Sequence, residues 1–152
     1  MTASDDALVA AAASVAGDPG TADGMDLEVA PDGTLRFLRC SRCGYLRHPP
    51  GTRCPECLST EARGEADPGT GAVWSFCVYH RAFRPAFRDA LPYNVALVEL
   101  DSGPRLVSNV LGCAPGDLAV GLRVRATALA APGGRPLVYF VPDRADRGGG
   151  RP

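Results

Sequence analysis

Lysine is missing from this 152-residue chain: all 16 basic positions are Arg, set against 17 acidic residues for a formal net charge of -1. The absence carries no functional conclusion by itself, but the charge balance does. Phosphate-backbone binding rests on a marked excess of positive charge, so nucleic acid is a disfavoured partner. Histidine is almost as scarce, with only His48 and His80. No Ser or Cys stands in a recognisable nucleophile motif, and catalysis by the chain alone is not expected. His80, a lone histidine beside Arg81, fits a hydrogen-bonding strand end better than a general base. Long apolar runs are lacking too, which excludes a membrane-spanning helix. Ala7 to Ala16 is apolar apart from Ser14, but Asp5 and Asp6 precede it where a secretory leader would be positive. That segment reads as a short N-terminal helix or an unstructured tail, and a cytoplasmic location is expected.

Cysteine is what the chain does have. Cys40-Ser41-Arg42-Cys43 and Cys54-Pro55-Glu56-Cys57 are two CxxC pairs separated by ten residues. Two intervening residues let a chain fold into a knuckle whose sulfurs converge, and two knuckles complete a tetrahedral zinc site. Gly44 can supply the positive φ that the first knuckle's turn requires. Disulfides fit poorly without a secretory leader, and a redox pair needs no second copy nearby. With Cys40, Cys43, Cys54 and Cys57 filling all four positions, no site remains for water or substrate; the zinc is structural, and His48 is not needed as a ligand. Cys77 and Cys113 are left over in apolar, strand-like contexts where buried free thiols are common.

The remainder predicts an all-β protein: a rubredoxin-like zinc ribbon followed by a five-stranded OB-fold barrel. Thr34 to Arg39 alternates as a strand leading into the metal site. Downstream, Ala72–His80, Tyr93–Asp101, Arg105–Leu111, Leu122–Leu129 and Leu137–Val141 are rich in β-branched and aromatic residues. Turn signals separate them at Asp101-Ser102-Gly103-Pro104, Ala114-Pro115-Gly116-Asp117 and Ala131-Pro132-Gly133-Gly134. The first of these strands is apolar on both faces, which suits a long coiled strand shared by two sides of a small barrel. The expected spans are a flexible or partly helical segment 1-34, the ribbon 35-62, the barrel 68-142 and a tail 143-152, with linkers at Gly17 to Gly24 and beyond Asp143.

The connection from His80 to Tyr93 holds three Arg, two Phe and two Pro. A loop of that length in a small domain tends to be functional. Arg81, Arg84 and Arg88 can pair with phosphate groups, while Phe83, Phe87 and Tyr93 can cover a ligand or fill a partner's groove. Two other readings stand beside this one. Phe83 and Phe87 could cap the open end of the barrel, or the loop could stack single-stranded nucleic acid, as OB-folds do.

The ordered text Leu38-Arg39-Cys40, Cys43-Gly44, Pro49-Pro50 and Cys54-Pro55-Glu56-Cys57 resembles the zinc-ribbon plus OB-fold family of acyl-CoA-associated proteins. The likeness continues through Gly71-Ala72-Val73-Trp74-Ser75-Phe76, His80-Arg81, Pro92-Tyr93, Val95 to Leu100, Ser108 to Cys113 and Phe140-Val141-Pro142, covering about Leu35 to Pro142. It implies an accessory subunit without catalytic residues. The partners it implies are thiolase-superfamily proteins: lipid-transfer-type thiolases, hydroxymethylglutaryl-CoA synthase assemblies, acyltransferases of secondary metabolism and retro-aldolases that trim steroid side chains. Such a subunit stabilises its partner and helps hold or channel acyl-CoA.

Overall fold

Leu35 and Phe37 point inward from a strand whose Arg36 is exposed, and this alternation sets the first layer of the fold. In the computed structural model, which describes residues 1–16, 28–130 and 136–143, that strand is β2 (Leu35–Cys40). It pairs antiparallel along its whole length with β4 (Ala62–Asp67), while β1 (Glu28–Val29) and β3 (Leu46–Arg47) share its other edge. The ribbon sheet thus begins before Leu35 and runs on to Asp67. The expected linkers from Gly17 to Gly24 and after Asp143, and the turn Ala131 to Gly134, lie outside the described residues.

The second sheet contains β5 (Thr70–Tyr79), β6 (Tyr93–Leu100), β7 (Arg105–Ser108), β8 (Arg123–Ala130) and β9 (Pro136–Pro142) in the order β7-β6-β5-β8-β9. These are the five strands expected from sequence. β5 pairs with β6 throughout and with β8 through Thr70, Gly71 and Ala72, after which a bulge at Trp74 coils it from one side of the barrel toward the other. Closure comes from a parallel bridge between Val110 and Phe140. Asn94 secures it: its buried side-chain amide donates to the Val110 carbonyl (2.8 Å) and accepts from the Val110 amide (2.8 Å), standing in for a missing strand. At Gly71 a Cβ would lie 2.3 Å from the Glu99 carbonyl oxygen, so only glycine lets β5 and β6 approach this closely.

The two layers share one core. Val29, Leu35, Phe37 and Leu46 of the ribbon pack in a single cluster with Val73, Val98, Leu106, Val124 and Phe140 of the barrel. Gly33, at φ 88, sits where a Cβ would meet the Ala126 carbonyl at 2.5 Å, so the ribbon's hairpin rests directly on β8.

Helix α1 (Ala3–Ala16) covers one end of the barrel. Thr2 and Asp5 cap it reciprocally: the Asp5 amide donates to Thr2 Oγ1 (3.1 Å), and the Thr2 amide donates to the Asp5 carboxylate (2.7 Å). The same carboxylate accepts from the Gly112 amide (3.1 Å), which ties the cap to the barrel. Leu8 then packs with Ala90, Leu111 and Tyr139, flanked by Phe87 and Tyr93. Leu8→Ala should therefore cost about 2 kcal/mol or more, as other buried leucine truncations do. A lower melting midpoint for the whole chain checks it, and an unchanged midpoint would show that the helix is not held by this contact.

Candidate metal centre and adjoining loop

The two knuckles are near-copies of one another. In each, the amide of the first cysteine donates to the carbonyl five residues on (Cys40 to Tyr45 and Cys54 to Ser59, both 2.8 Å), and the residue four positions on donates back to that cysteine's carbonyl. The turn residue adopts a positive φ in both, Gly44 at 77° and Leu58 at 60°. Glycine does so without penalty; Leu58 is held there against its own preference. The amides of Cys43 and Arg42 aim at the Cys40 sulfur and draw its pKa down, and those of Cys57 and Glu56 favour the Cys54 thiolate against the cost of its burial.

All four sulfurs lie within 4.8 Å of one another, with Cys40 to Cys57 at 3.6 Å and Cys43 to Cys54 at 3.5 Å. A zinc ion with bonds of about 2.3 Å requires tetrahedral edges of about 3.8 Å, so this set fits zinc. Crowding supports the fit: although the Tyr45 amide favours a thiolate at Cys43, burial and the three neighbouring sulfurs push its pKa up to about 12. Only a cation makes four such thiolates compatible. His48 stands apart from the set, edge-on to Phe37 at 5.8 Å, and its own burial pushes its pKa down.

The His80–Tyr93 connection is ordered by a 3-10 turn, Pro85–Ala90. Its residues divide. Arg81, Phe83, Arg84 and Arg88 are exposed, Phe83 at 74%. Phe87 and Tyr93 are half-buried and pack toward α1. Tyr79 links the two groups, stacking on Tyr93 at 5.2 Å and meeting Phe83 edge-on at 5.8 Å. Among the described residues no carboxylate pairs with Arg81, Arg84 or Arg88.

The exposed side of β6, around Val95, Leu97 and Glu99, is legible in the sequence; its extension across the outer face of the barrel is not. Cross-strand partners share a face, so Val107, Leu97 and Ser75 form one row, Val95 and Cys77 the next, and Tyr93 and Tyr79 the last, which runs into Phe83. Trp74, half exposed beneath Arg105 at 3.8 Å, extends the surface at the bulge. The alternation of β6 was the available signal: its outward residues Tyr93, Val95 and Leu97 are as apolar as its inward ones. Two expectations need correction. Cys77 is exposed, because the bulge after Val73 turns it to the outer face opposite Val95, and Cys113 is only partly buried, in the loop after the barrel closure rather than in a strand.

The family model described as the ChsH2 rubredoxin-like zinc ribbon matches residues 27–62, and that of the ChsH2 C-terminal OB-fold domain matches 65–129. A solved structure described as "Ltp2-ChsH2(DUF35) aldolase" is 44% identical, with a TM-score of 0.65, covering 71% of this chain and 84% of that one. The chain belongs to the DUF35 family of ChsH2-type zinc-ribbon and OB-fold proteins. A probable enoyl-CoA hydratase alpha subunit of Thermomonospora curvata is 43% identical over 115 residues, 76% of this chain and 35% of that protein. A DUF35 domain-containing scaffold protein of Methanocaldococcus jannaschii is 33% identical over 90 residues, 59% of this chain and 63% of its own length. The 3-oxo-4,17-pregnadiene-20-carboxyl-CoA hydratase alpha subunit of Mycobacterium tuberculosis is 36% identical over 98 residues, 64% of this chain. The chain spans about a third of the length of the two hydratase subunits, 35% and 30%. The four cysteines of this DUF35 chain lie within the matched zinc ribbon and are arranged to hold a metal ion. Among the described residues no helix is long and apolar enough to cross a membrane.

Proposed function

We propose that this chain is a non-catalytic accessory subunit of an enzyme complex acting on acyl-CoA thioesters, with a thiolase-superfamily subunit carrying the reacting groups. The observation that carries this reading is the 44% identity to a solved chain described as "Ltp2-ChsH2(DUF35) aldolase". The names of the other relatives, hydratase alpha subunits and scaffold proteins, agree with an assembly role around CoA thioesters. The chain's own chemistry points the same way. Four thiolates would fill the coordination of a zinc ion held by this set and leave no open position for substrate. His80 is exposed at the end of β5 and no nucleophile is paired with it among the described residues.

In this reading the apolar face from Trp74 through Leu97 and Tyr79 to Phe83 docks the catalytic subunit. Arg81, Arg84 and Arg88 meet the phosphates of the acyl-CoA or carboxylates of the partner, with Tyr93 and Phe87 supporting the loop from behind. The reactions that fit are condensation, acyl transfer or retro-aldol cleavage, and the cytoplasm is where acyl-CoA would be met.

Reconstitution tests it. The purified chain should show no turnover of an acyl-CoA substrate, whereas co-expression with its thiolase-like partner should yield a stable complex and activity. Turnover by the chain alone, abolished by His80→Ala, would overturn the assignment. So would salt-sensitive retention on single-stranded DNA with no affinity for the partner.

A further inference from the structure

Arg47 is only 2% exposed, and among the described residues no carboxylate lies within ion-pair distance of it. A guanidinium cannot shed its proton, so a buried one requires both hydrogen-bond acceptors and a counter-charge. The acceptors are backbone carbonyls on either side of the second knuckle. Nη1 donates to Gly51 (3.2 Å) and Thr52 (3.5 Å), and Nη2 donates to Ser59 (2.9 Å) and Glu61 (2.9 Å). The guanidinium thereby holds together the two ends of the loop that carries Cys54 and Cys57. These carbonyls are neutral, however, and Nε, also buried, has no oxygen partner at all.

We propose that the zinc tetrathiolate is the counter-ion of Arg47, making Arg47 a positioning residue for the metal as well as a clasp for its loop. Four thiolates and one Zn2+ leave a net charge of about -2 at the centre, and one adjacent buried cation halves it. Arg47 stands on β3 opposite Leu38 of β2, so its side chain shares a face of the ribbon with Cys40 two residues along, and the Glu61 carbonyl it holds also accepts from the Ser41 amide beside that ligand. Arg42, exposed between the first two ligands, has no such burial and serves as the comparison.

The test is chelator competition for zinc in the full-length, reduced chain. Arg47→Gln should hold zinc roughly 10–100-fold less tightly, the range seen when groups supporting metal ligands are removed. Arg47→Lys should recover much of that loss, and Arg42→Gln should be near wild type. A double-mutant cycle separates charge from clasp. In a Cys57→His background the centre carries one negative charge fewer, so the penalty of Arg47→Gln should shrink. An equal penalty in both backgrounds, or wild-type affinity in Arg47→Gln, would overturn the proposal. If Arg47→Gln holds no zinc at all, Arg47→Lys decides: zinc retention supports the counter-charge, and its loss leaves only the clasp and rejects it.

Discussion

Stripping zinc from the reduced protein should unfold the ribbon and also weaken the barrel. Two of the ribbon's four strands, β1 and β3, are only two residues long, and the loop carrying the second knuckle is held by Arg47, by the metal and by a few turn hydrogen bonds such as Cys54 to Ser59. A ribbon this small lacks a core of its own, so the binding energy of the ion, on the order of 10–16 kcal/mol in small zinc domains, is its folding energy. On sequence alone much of the barrel would be expected to remain, since it has its own apolar alternation. The shared cluster changes that expectation: Val29, Leu35, Phe37 and Leu46 are part of the barrel's own core, and their release exposes Val73, Val124 and Phe140. Metal analysis of protein purified without added metal should give one zinc per chain. Cys54→Ser, at a fully buried position, should lose that zinc, lower the melting midpoint and abolish hydrogen-exchange protection along β2. Folded, reduced protein with almost no zinc would sink the claim.

The features legible in the sequence are those written in local pattern. The CxxC pairs specify the metal set because two-residue spacing and thiolate chemistry leave few alternatives. The barrel strands are legible because β-branched and aromatic runs alternate with Gly-Pro turns. β4 is not, since Ala62-Arg63-Gly64-Glu65-Ala66-Asp67 has no strand-forming residue. It is a strand because β2 offers it an open edge and Arg39 pairs with Glu65 across the register. The helix start was present in Thr2-Ala3-Ser4-Asp5, a capping-box pattern, but Asp5 signified only an acidic N-terminus until its bond to Gly112 appeared. Asn94 likewise has no local signature, because its role depends on Val110 arriving from a distant turn. The loop is half legible. Its arginines and aromatics stand out in the sequence, yet which ring faces solvent depends on where α1 packs, and no local pattern carries that.

That division yields the second large effect. Phe83 and Phe87 are four residues apart in one loop, but Phe83 is 74% exposed and Phe87 packs against Tyr93 within the cluster that receives Leu8. Phe83→Ser should leave the melting midpoint of the isolated chain almost unchanged and weaken partner association or acyl-CoA retention tenfold or more, because burying a phenylalanine ring contributes roughly 1.5–3 kcal/mol. Phe87→Ser should do the reverse in the first instance, lowering the midpoint through lost packing, with any binding defect following from a loosened loop. Trp74→Ser tests the far end of the same face: its ring is half exposed at the bulge, and Arg105 would be left without the ring it covers. Arg81, Arg84 and Arg88 changed to Gln should weaken binding in a salt-dependent way, since exposed charges act through a screened field. Differential scanning fluorimetry and titration of the catalytic subunit measure the two quantities separately. Should Phe83→Ser and Trp74→Ser both bind the partner and acyl-CoA as wild type does, neither end of the outer face carries the interaction and the docking surface must be sought on the ribbon.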